Sequence, residues 1–152
     1  MASADVSHPN LAQFSAVPTH ANNNVTILLV EDEHFLRTVI QRVLSDAGYE
    51  VITASDAQEA LDQFCACRGE VDLLIADVIL PKGNGVRLAA DLMRERPDLK
   101  TVVISGYPER VVRNCERRAA ANVFYLPKPF TTEVLTRKVH EALSSERQAR
   151  LR

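Results

Sequence analysis

The sequence predicts an α/β fold built on a parallel β-sheet. From Val25 onward, short apolar runs typical of strands alternate five times with helical patterns. Two of the runs are almost entirely apolar, as in strands buried within a sheet. The chain has 152 residues, which suits about one domain, and we expect a single globular unit over residues 25–144.

The first β-α unit has the clearest pattern. An apolar run at residues 25–30 predicts a strand. Apolar side chains then recur at steps of three and four residues, and Gly48 is placed to end the predicted helix. These side chains are Leu36, Val39, Ile40, Val43, Leu44 and Ala47.

The second unit combines a short strand at residues 49–53 with a helix. Ser55 and Gln58 form a capping-box pattern that predicts the start of this helix, and Arg68-Gly69 close the unit. The predicted buried face consists of Ala57, Ala60, Leu61 and Phe64.

Three further units complete the predicted sheet. The third has a strand at residues 71–76 and a helix at 86–94 that ends before Pro97. The fourth has a β-branched strand at 101–104 and a helix at about 109–120 with a weaker apolar face. The fifth has a strand at 122–126 and a helix capped by Thr131, whose predicted buried residues are Val134, Leu135, Val139, Ala142 and Leu143.

Both ends of the chain lack a strong pattern. Residues 1–24 contain Pro9, Pro18 and three consecutive asparagines, and we expect a flexible tail there. Residues 145–152 are expected to form a short helix extension or a tail. No apolar stretch approaches the roughly 20 residues that span a bilayer, and no leader pattern opens the chain, so we expect a cytoplasmic protein.

The composition argues against several classes of protein. A formal net charge of -2 gives no overall attraction to nucleic acid or acidic lipid. The cysteines are odd in number and lack the spacing of a zinc site, so neither a disulfide framework nor structural zinc is expected. They are Cys65, Cys67 and Cys115.

Polar residues that could bind a metal ion or take part in catalysis follow the predicted strands. Asp77 follows the run at 71–76, and Glu31 and Asp32 follow the run at 25–30. Because parallel strands bring their carboxyl ends to one edge of a sheet, we expect these acids to converge there with Ser105 and Lys128.

Carboxylates without histidine or thiolate suit a hard divalent ion, Mg²⁺ in particular. We predict Asp32 and Asp77 as direct ligands, with Glu31 reaching the ion through water. An aspartate beside a metal can also be a nucleophile toward phosphorus, which makes Asp77 the candidate acceptor. Lys128 would supply positive charge and Ser105 a hydrogen-bond donor for phosphoryl transfer.

These residues together resemble the receiver domains of response regulators in two-component signalling. The resemblance covers residues 25–143, and its motifs occur in order at predicted strand ends. They are Leu29-Val30-Glu31-Asp32-Glu33, Ala76-Asp77-Val78-Ile79-Leu80-Pro81 with Gly85 behind it, Ser105-Gly106, Tyr125 and Lys128-Pro129-Phe130.

The resemblance implies a flavodoxin-like (βα)5 fold with strand order 2-1-3-4-5. It implies that Asp77 accepts a phosphoryl group from a sensor histidine kinase or a histidine phosphotransfer protein. It also implies that Mg²⁺ is held by Asp32, Asp77 and the backbone carbonyl of Ile79. Ser105 and Tyr125 would be switch residues that reshape the surface of the fourth helix, fifth strand and fifth helix.

We therefore expect a stand-alone receiver that binds a downstream protein and is not a turnover enzyme. A homodimer that depends on phosphorylation is left open, and nucleic acid is the least expected partner. Arginines of the predicted fourth helix suit a solvated face first and an acidic protein partner second. They are Arg110, Arg113, Arg117 and Arg118.

Several alternatives compete with this interpretation. Within the same family, the chain could be a phosphate-relay or phosphate-sink intermediate, or a scaffold that does not depend on phosphorylation. A phosphohydrolase of the haloacid-dehalogenase kind would want a second acid at Ile79. A flavodoxin-like electron carrier would need a phosphate-binding loop rich in glycine and hydroxyls at residues 31–33, where three acids stand instead.

Overall fold

The computed structural model describes residues 25–108 and 122–150. All neighbouring strands of its main sheet are parallel, and the strand order is 2-1-3-4-5. The strands are β1 (Thr26–Val30), β2 (Glu50–Ala54), β3 (Leu73–Asp77), β4 (Lys100–Ser105) and β5 (Val123–Pro127). The predicted flavodoxin-like α/β fold is confirmed. After β3, two short antiparallel strands of two residues each, Ile79–Leu80 and Gly83–Asn84, form a hairpin that the sequence patterns did not predict.

Helices cover both faces of the sheet. They are α1 (His34–Asp46), α2 (Ala57–Ala66), α3 (Gly85–Glu95) and the C-terminal helix (Thr132–Arg150). Alternate residues of the strands point to opposite faces. Leu28 and Leu74 therefore pack with residues of α2 and α3, whereas Ile27 and Ile75 pack with residues of α1 and the C-terminal helix. Every residue of β3 is buried, so Asp77 lies at the end of a strand in the centre of the protein.

The structure corrects three details of the predicted helices. Val39, a member of the apolar repeat, and Val134, predicted to be buried, are 36% and 37% exposed, because the sheet covers a narrower stripe of each helix than the apolar pattern suggests. The N-cap of α2 is Asp56, whose side chain accepts a hydrogen bond from the Glu59 amide at 2.7 Å. The capping pattern therefore lies one residue later than the predicted Ser55 and Gln58 pair.

Some predicted segments lie outside the described residues. They are the tail at 1–24 and the fourth helix at about 109–120, which includes its arginines and Cys115. Cys65 and Cys67 lie within the described part and are free thiols. Over residues 25–108 and 122–150, no helix combines the length and the apolar character that crossing a membrane requires.

A polar network around Asp72 ties together the amino-terminal edge of the sheet. The Asp72 carboxylate accepts hydrogen bonds from the Thr26 amide at 2.9 Å and from the Arg96 guanidinium at 3.1 Å. Arg96 also donates to the carbonyl of Gly69 at 2.9 Å and pairs with Asp98 at 3.4 Å. The start of β1 is thus joined to the entry of β3 and the end of α3.

We expect Asp72→Ala to lower the free energy of unfolding by about 1–2 kcal/mol, because the Thr26 amide and Arg96 both lose an acceptor. The matched control is Asp98→Ala, which removes a more exposed partner of Arg96 and should cost less than about 0.5 kcal/mol. Urea unfolding of both variants measures the difference. Equal costs would show that the Asp72 network does not stabilise this edge.

Candidate functional site

Asp77 is the last residue of β3 and is 8% exposed. One carboxylate oxygen, Oδ1, accepts a hydrogen bond from the Ile79 amide at 3.0 Å. The other, Oδ2, accepts from the Nζ atom of Lys128 at 2.5 Å. The prediction that Asp77 and Lys128 converge is therefore confirmed by the geometry.

The register of the sheet explains how these two residues meet. In the parallel ladder Asp77 lies opposite Ile104, and Ser105 lies opposite Pro127. The Lys128 amide then donates to the Ser105 carbonyl at 2.9 Å, and the peptide bond from Lys128 to Pro129 is cis. Three neighbouring strands thus end at one rim.

Lys128 remains a cation at this rim. Burial alone would lower the pKa of its ammonium group. The hydrogen bond and the negative charge of Asp77, with the charges of Glu31 and Asp32, outweigh burial and raise the pKa of Lys128 above its ordinary value. A positive charge is therefore fixed beside the Asp77 carboxylate.

Glu31 lies at the end of β1 and is 2% exposed. Its Oε1 atom accepts a hydrogen bond from the Glu33 amide at 3.2 Å, and its buried Oε2 atom has no hydrogen-bond partner among the described residues. The pKa of Glu31 is raised to about 7, chiefly because the group is buried. The carboxyl groups of Asp77 and Asp32 act in the same direction, and the Glu33 amide and the charge of Lys128 act against it. A cation bound beside this carboxyl group would stabilise its charged form.

The raised pKa of Glu31 predicts a pH-dependent stability in the absence of divalent ions. A carboxyl whose pKa is higher in the folded than in the unfolded state stabilises the fold at low pH, and this contribution is lost as the pH rises from 4.5 to about 7. We expect the melting temperature of wild type, measured in chelator, to fall relative to Glu31→Gln between about pH 5 and about pH 8. A difference that does not change with pH would contradict the raised pKa.

The remaining predicted ligands are less enclosed. Asp32 is exposed to solvent, and the Ile79 side chain is 59% exposed. Across the two described ranges, no three Asp, Glu, His or Cys side chains stand together in an arrangement that would hold a metal ion. Glu31 and Asp77 are buried at the rim, whereas Asp32 is exposed but near enough to affect the pKa values of Glu31 and Lys128. The expected convergence of three carboxylates is therefore only partly seen.

These residues nevertheless fit Mg²⁺ by their chemistry. Mg²⁺ usually takes one or two carboxylates, keeps several waters and does not require a full cage of protein ligands. The unpartnered Oε2 atom of Glu31 and the adjacent acids offer hard oxygen donors. The ligand set of Asp32, Asp77 and the Ile79 carbonyl, with Glu31 close by, stays a prediction.

Ser105 and Tyr125 are joined through one short loop. Ser105 is 1% exposed, and its Oγ atom accepts a hydrogen bond from the Tyr107 amide at 2.9 Å. The Tyr125 hydroxyl donates to the Tyr107 carbonyl, and its ring packs against a buried cluster that includes Val78 and Val103. The two predicted switch residues therefore contact the same loop, while their switching role stays a prediction.

Sequence reasoning missed one residue of this region. The Arg37 guanidinium reaches from α1 to the carbonyl of Glu31, with an Nη1 to oxygen distance of 2.8 Å. Helical periodicity places Arg37 on a helix but cannot indicate which backbone atom its long side chain reaches.

Comparison with known proteins identifies the family. Residues 27–140 match the family model of the response regulator receiver domain. The chain belongs to this family. Its general function is phosphoryl acceptance in two-component signalling.

Two curated relatives contain a similar receiver. The sensor kinase CckA of Brucella abortus (strain 2308) is 37% identical over 129 residues, which are 84% of this chain and 13% of the kinase. The DNA-binding transcriptional regulator NtrC of Azospirillum brasilense is 38% identical over 122 residues, which are 79% of this chain and 24% of the regulator. This receiver thus spans a minor part of the length of these relatives.

A solved structure supports the same assignment. The response regulator protein TrrA of Thermotoga maritima, in complex with Mg²⁺ and BeF, has a TM-score of 0.66 and 29% sequence identity. The match covers 78% of this receiver and 99% of that chain. A related receiver has therefore been seen with the metal that the acidic residues of this chain predict.

Proposed function

We propose that Asp77 accepts a phosphoryl group from a phosphohistidine on a sensor histidine kinase or a histidine phosphotransfer protein. The observation that carries this proposal is the 2.5 Å pair between Asp77 Oδ2 and Lys128 Nζ at the strand edge. Phosphoryl transfer needs little from a protein beyond position and positive charge, and this pair offers both at one point.

The transfer exchanges one bond to phosphorus for another. A carboxylate oxygen of Asp77 attacks the phosphorus in line, and the bond from phosphorus to the imidazole nitrogen of the donor breaks as the new oxygen bond forms. The imidazole leaves with the electron pair and is protonated by solvent. Lys128 and the Ser105 hydroxyl then contact the oxygens on which negative charge gathers.

The metal has one part in this scheme. Bound by Asp32, Asp77 and the Ile79 carbonyl, with Glu31 contacting it through water, Mg²⁺ would neutralise charge on the phosphoryl oxygens. The protein would catalyse its own phosphorylation and dephosphorylation only, and would not be a turnover enzyme.

The output of the phosphorylated protein would be a protein contact. The loop of Ser105 and Tyr107 touches both the acceptor edge and Tyr125 on β5, so a change at Asp77 has a physical route to the outer strand. We propose that the surface formed by β5, the C-terminal helix and the helix that the sequence predicts at about 109–120 binds the downstream protein. We also propose that the protein acts without an attached output domain. The length of the protein, measured in its host cell, tests this.

Intact mass spectrometry tests the acceptor chemistry. Incubation with acetyl phosphate and Mg²⁺ is expected to add the mass of one phosphoryl group, whereas the same incubation with a chelator adds none. Hydroxylamine should remove the group, because acyl phosphates react with it. A protein that gains no phosphoryl group from acetyl phosphate or from phosphorylated histidine kinases is not a phosphoryl acceptor.

A further inference from the structure

The Arg37 side chain, near the start of α1, contacts the backbone that precedes the helix. Half-buried on α1, it turns back toward the sheet, where its Nη1 atom donates to the Glu31 carbonyl at 2.8 Å. Its Nη2 atom lies 3.1 Å from Nδ1 of His34. A hydrogen bond from a guanidinium is charge-assisted and among the stronger ones in proteins.

This contact is one of two that flank Asp32. The Glu31 carbonyl belongs to the peptide unit before Asp32, and Arg37 holds it. The Glu33 amide belongs to the peptide unit after Asp32, and it donates to Oε1 of Glu31 at 3.2 Å. The peptide units before and after Asp32 are therefore each held by a hydrogen bond, although the Asp32 side chain itself is exposed.

The backbone of Arg37 adds a third restraint. Its amide donates to the carbonyl of Glu33 at 2.9 Å as the first bonds of α1 form. One residue thus contacts the loop both before and after Asp32, through its side chain and through its backbone.

From this geometry we propose that Arg37 is a positioning residue that presents Asp32 to the divalent cation before the cation binds. The inference rests on the proposed function, because it takes Asp32 as a Mg²⁺ ligand. A ligand already held in place loses less conformational freedom on binding, which increases affinity. Residues that orient metal ligands without touching the metal commonly change its affinity by about tenfold or more.

Charge alone predicts the opposite effect. Arg37 carries a positive charge beside the site of a cation, so Coulomb repulsion would weaken Mg²⁺ binding. Removal of the guanidinium strengthens binding if repulsion dominates and weakens binding if positioning dominates. The sign of the change therefore distinguishes the two roles.

The test is a calorimetric titration of Mg²⁺ into the wild-type protein and three variants. We expect Arg37→Gln to bind Mg²⁺ about tenfold more weakly than wild type. Arg37→Lys should also bind more weakly although it keeps the charge, because an ammonium group lacks the fork of the guanidinium. Arg42→Gln, an exposed position on the same helix, is the matched control and should bind as wild type does.

A second measurement separates positioning from a general loss of structure or from a role in the chemistry. At saturating Mg²⁺, the rate of phosphorylation of Arg37→Gln by acetyl phosphate should return to the wild-type value, because the bound ion then orders the loop. Affinity equal to or tighter than that of Arg42→Gln would overturn the inference, and so would a rate that saturating Mg²⁺ does not restore. Failure of the wild-type protein to bind Mg²⁺ would overturn the proposed function as well.

Discussion

Asp77→Asn is expected to gain no phosphoryl group from acetyl phosphate at any Mg²⁺ concentration. An amide lacks the charged oxygen that attacks phosphorus and cannot form an acyl phosphate. The amide group would also face the ammonium of Lys128, with which the wild-type carboxylate pairs at 2.5 Å, and would weaken the ligand set for Mg²⁺. Intact mass after incubation measures the loss, and circular dichroism verifies that the variant is folded.

Asp72→Asn is the matched control for this experiment. Asp72 precedes β3, at the opposite edge of the sheet from Asp77, and its asparagine can still accept a hydrogen bond from the Thr26 amide. We expect this variant to gain the same phosphoryl mass as wild type. Equal modification of the Asp77→Asn protein and the control would place the acceptor on another residue.

Gly85→Ala is expected to destabilise the protein by more than about 3 kcal/mol. A Cβ atom at this position would lie 2.1 Å from the backbone oxygen of Asp77 and 2.9 Å from its carbonyl carbon. Backbone atoms cannot avoid the contact by changing rotamer, so β3 and α3 must separate. The displacement would reach the acceptor directly, and phosphorylation should slow together with the loss of stability.

Gly106→Ala is the control for this prediction, because a Cβ atom there would meet no atom of the described residues within 4 Å. Chemical denaturation of the two variants compares a close backbone approach with an open one. If Gly85→Ala unfolds at the same denaturant concentration as Gly106→Ala, the contact between α3 and the Asp77 carbonyl is not as tight as the structure has it.

The sequence was sufficient to predict the sheet because the relevant signals are local. Apolar runs and helical periodicity depend on burial, and both layers of the core formed as the pattern requires. The error at the start of α2 arose where two local solutions compete. Ser55 and Asp56 can each cap a helix, and the structure selects Asp56, whose charged carboxylate accepts the stronger bond.

The candidate site was predictable only in part. Parallel strand ends must share an edge, so the meeting of Asp77 with Lys128 follows from topology, across 51 residues of chain. The contacts of Arg37 and Arg96 do not follow from it, because a long side chain on a helix can reach many backbone atoms. The difference between buried Glu31 and exposed Asp32 was equally hidden, since the apolar run ends at Val30 and does not distinguish the two acids that follow it.

Toward the described residues, the Ser105 side chain makes one hydrogen bond. Its oxygen accepts from the Tyr107 amide, which leaves the hydroxyl proton available for another acceptor. The Ser105 hydroxyl can therefore donate a hydrogen bond to an incoming oxyanion while its oxygen still accepts one from the Tyr107 amide. Residues 105–107 would then move together. The Tyr125 side chain would move with them, because its hydroxyl donates a hydrogen bond to the Tyr107 carbonyl.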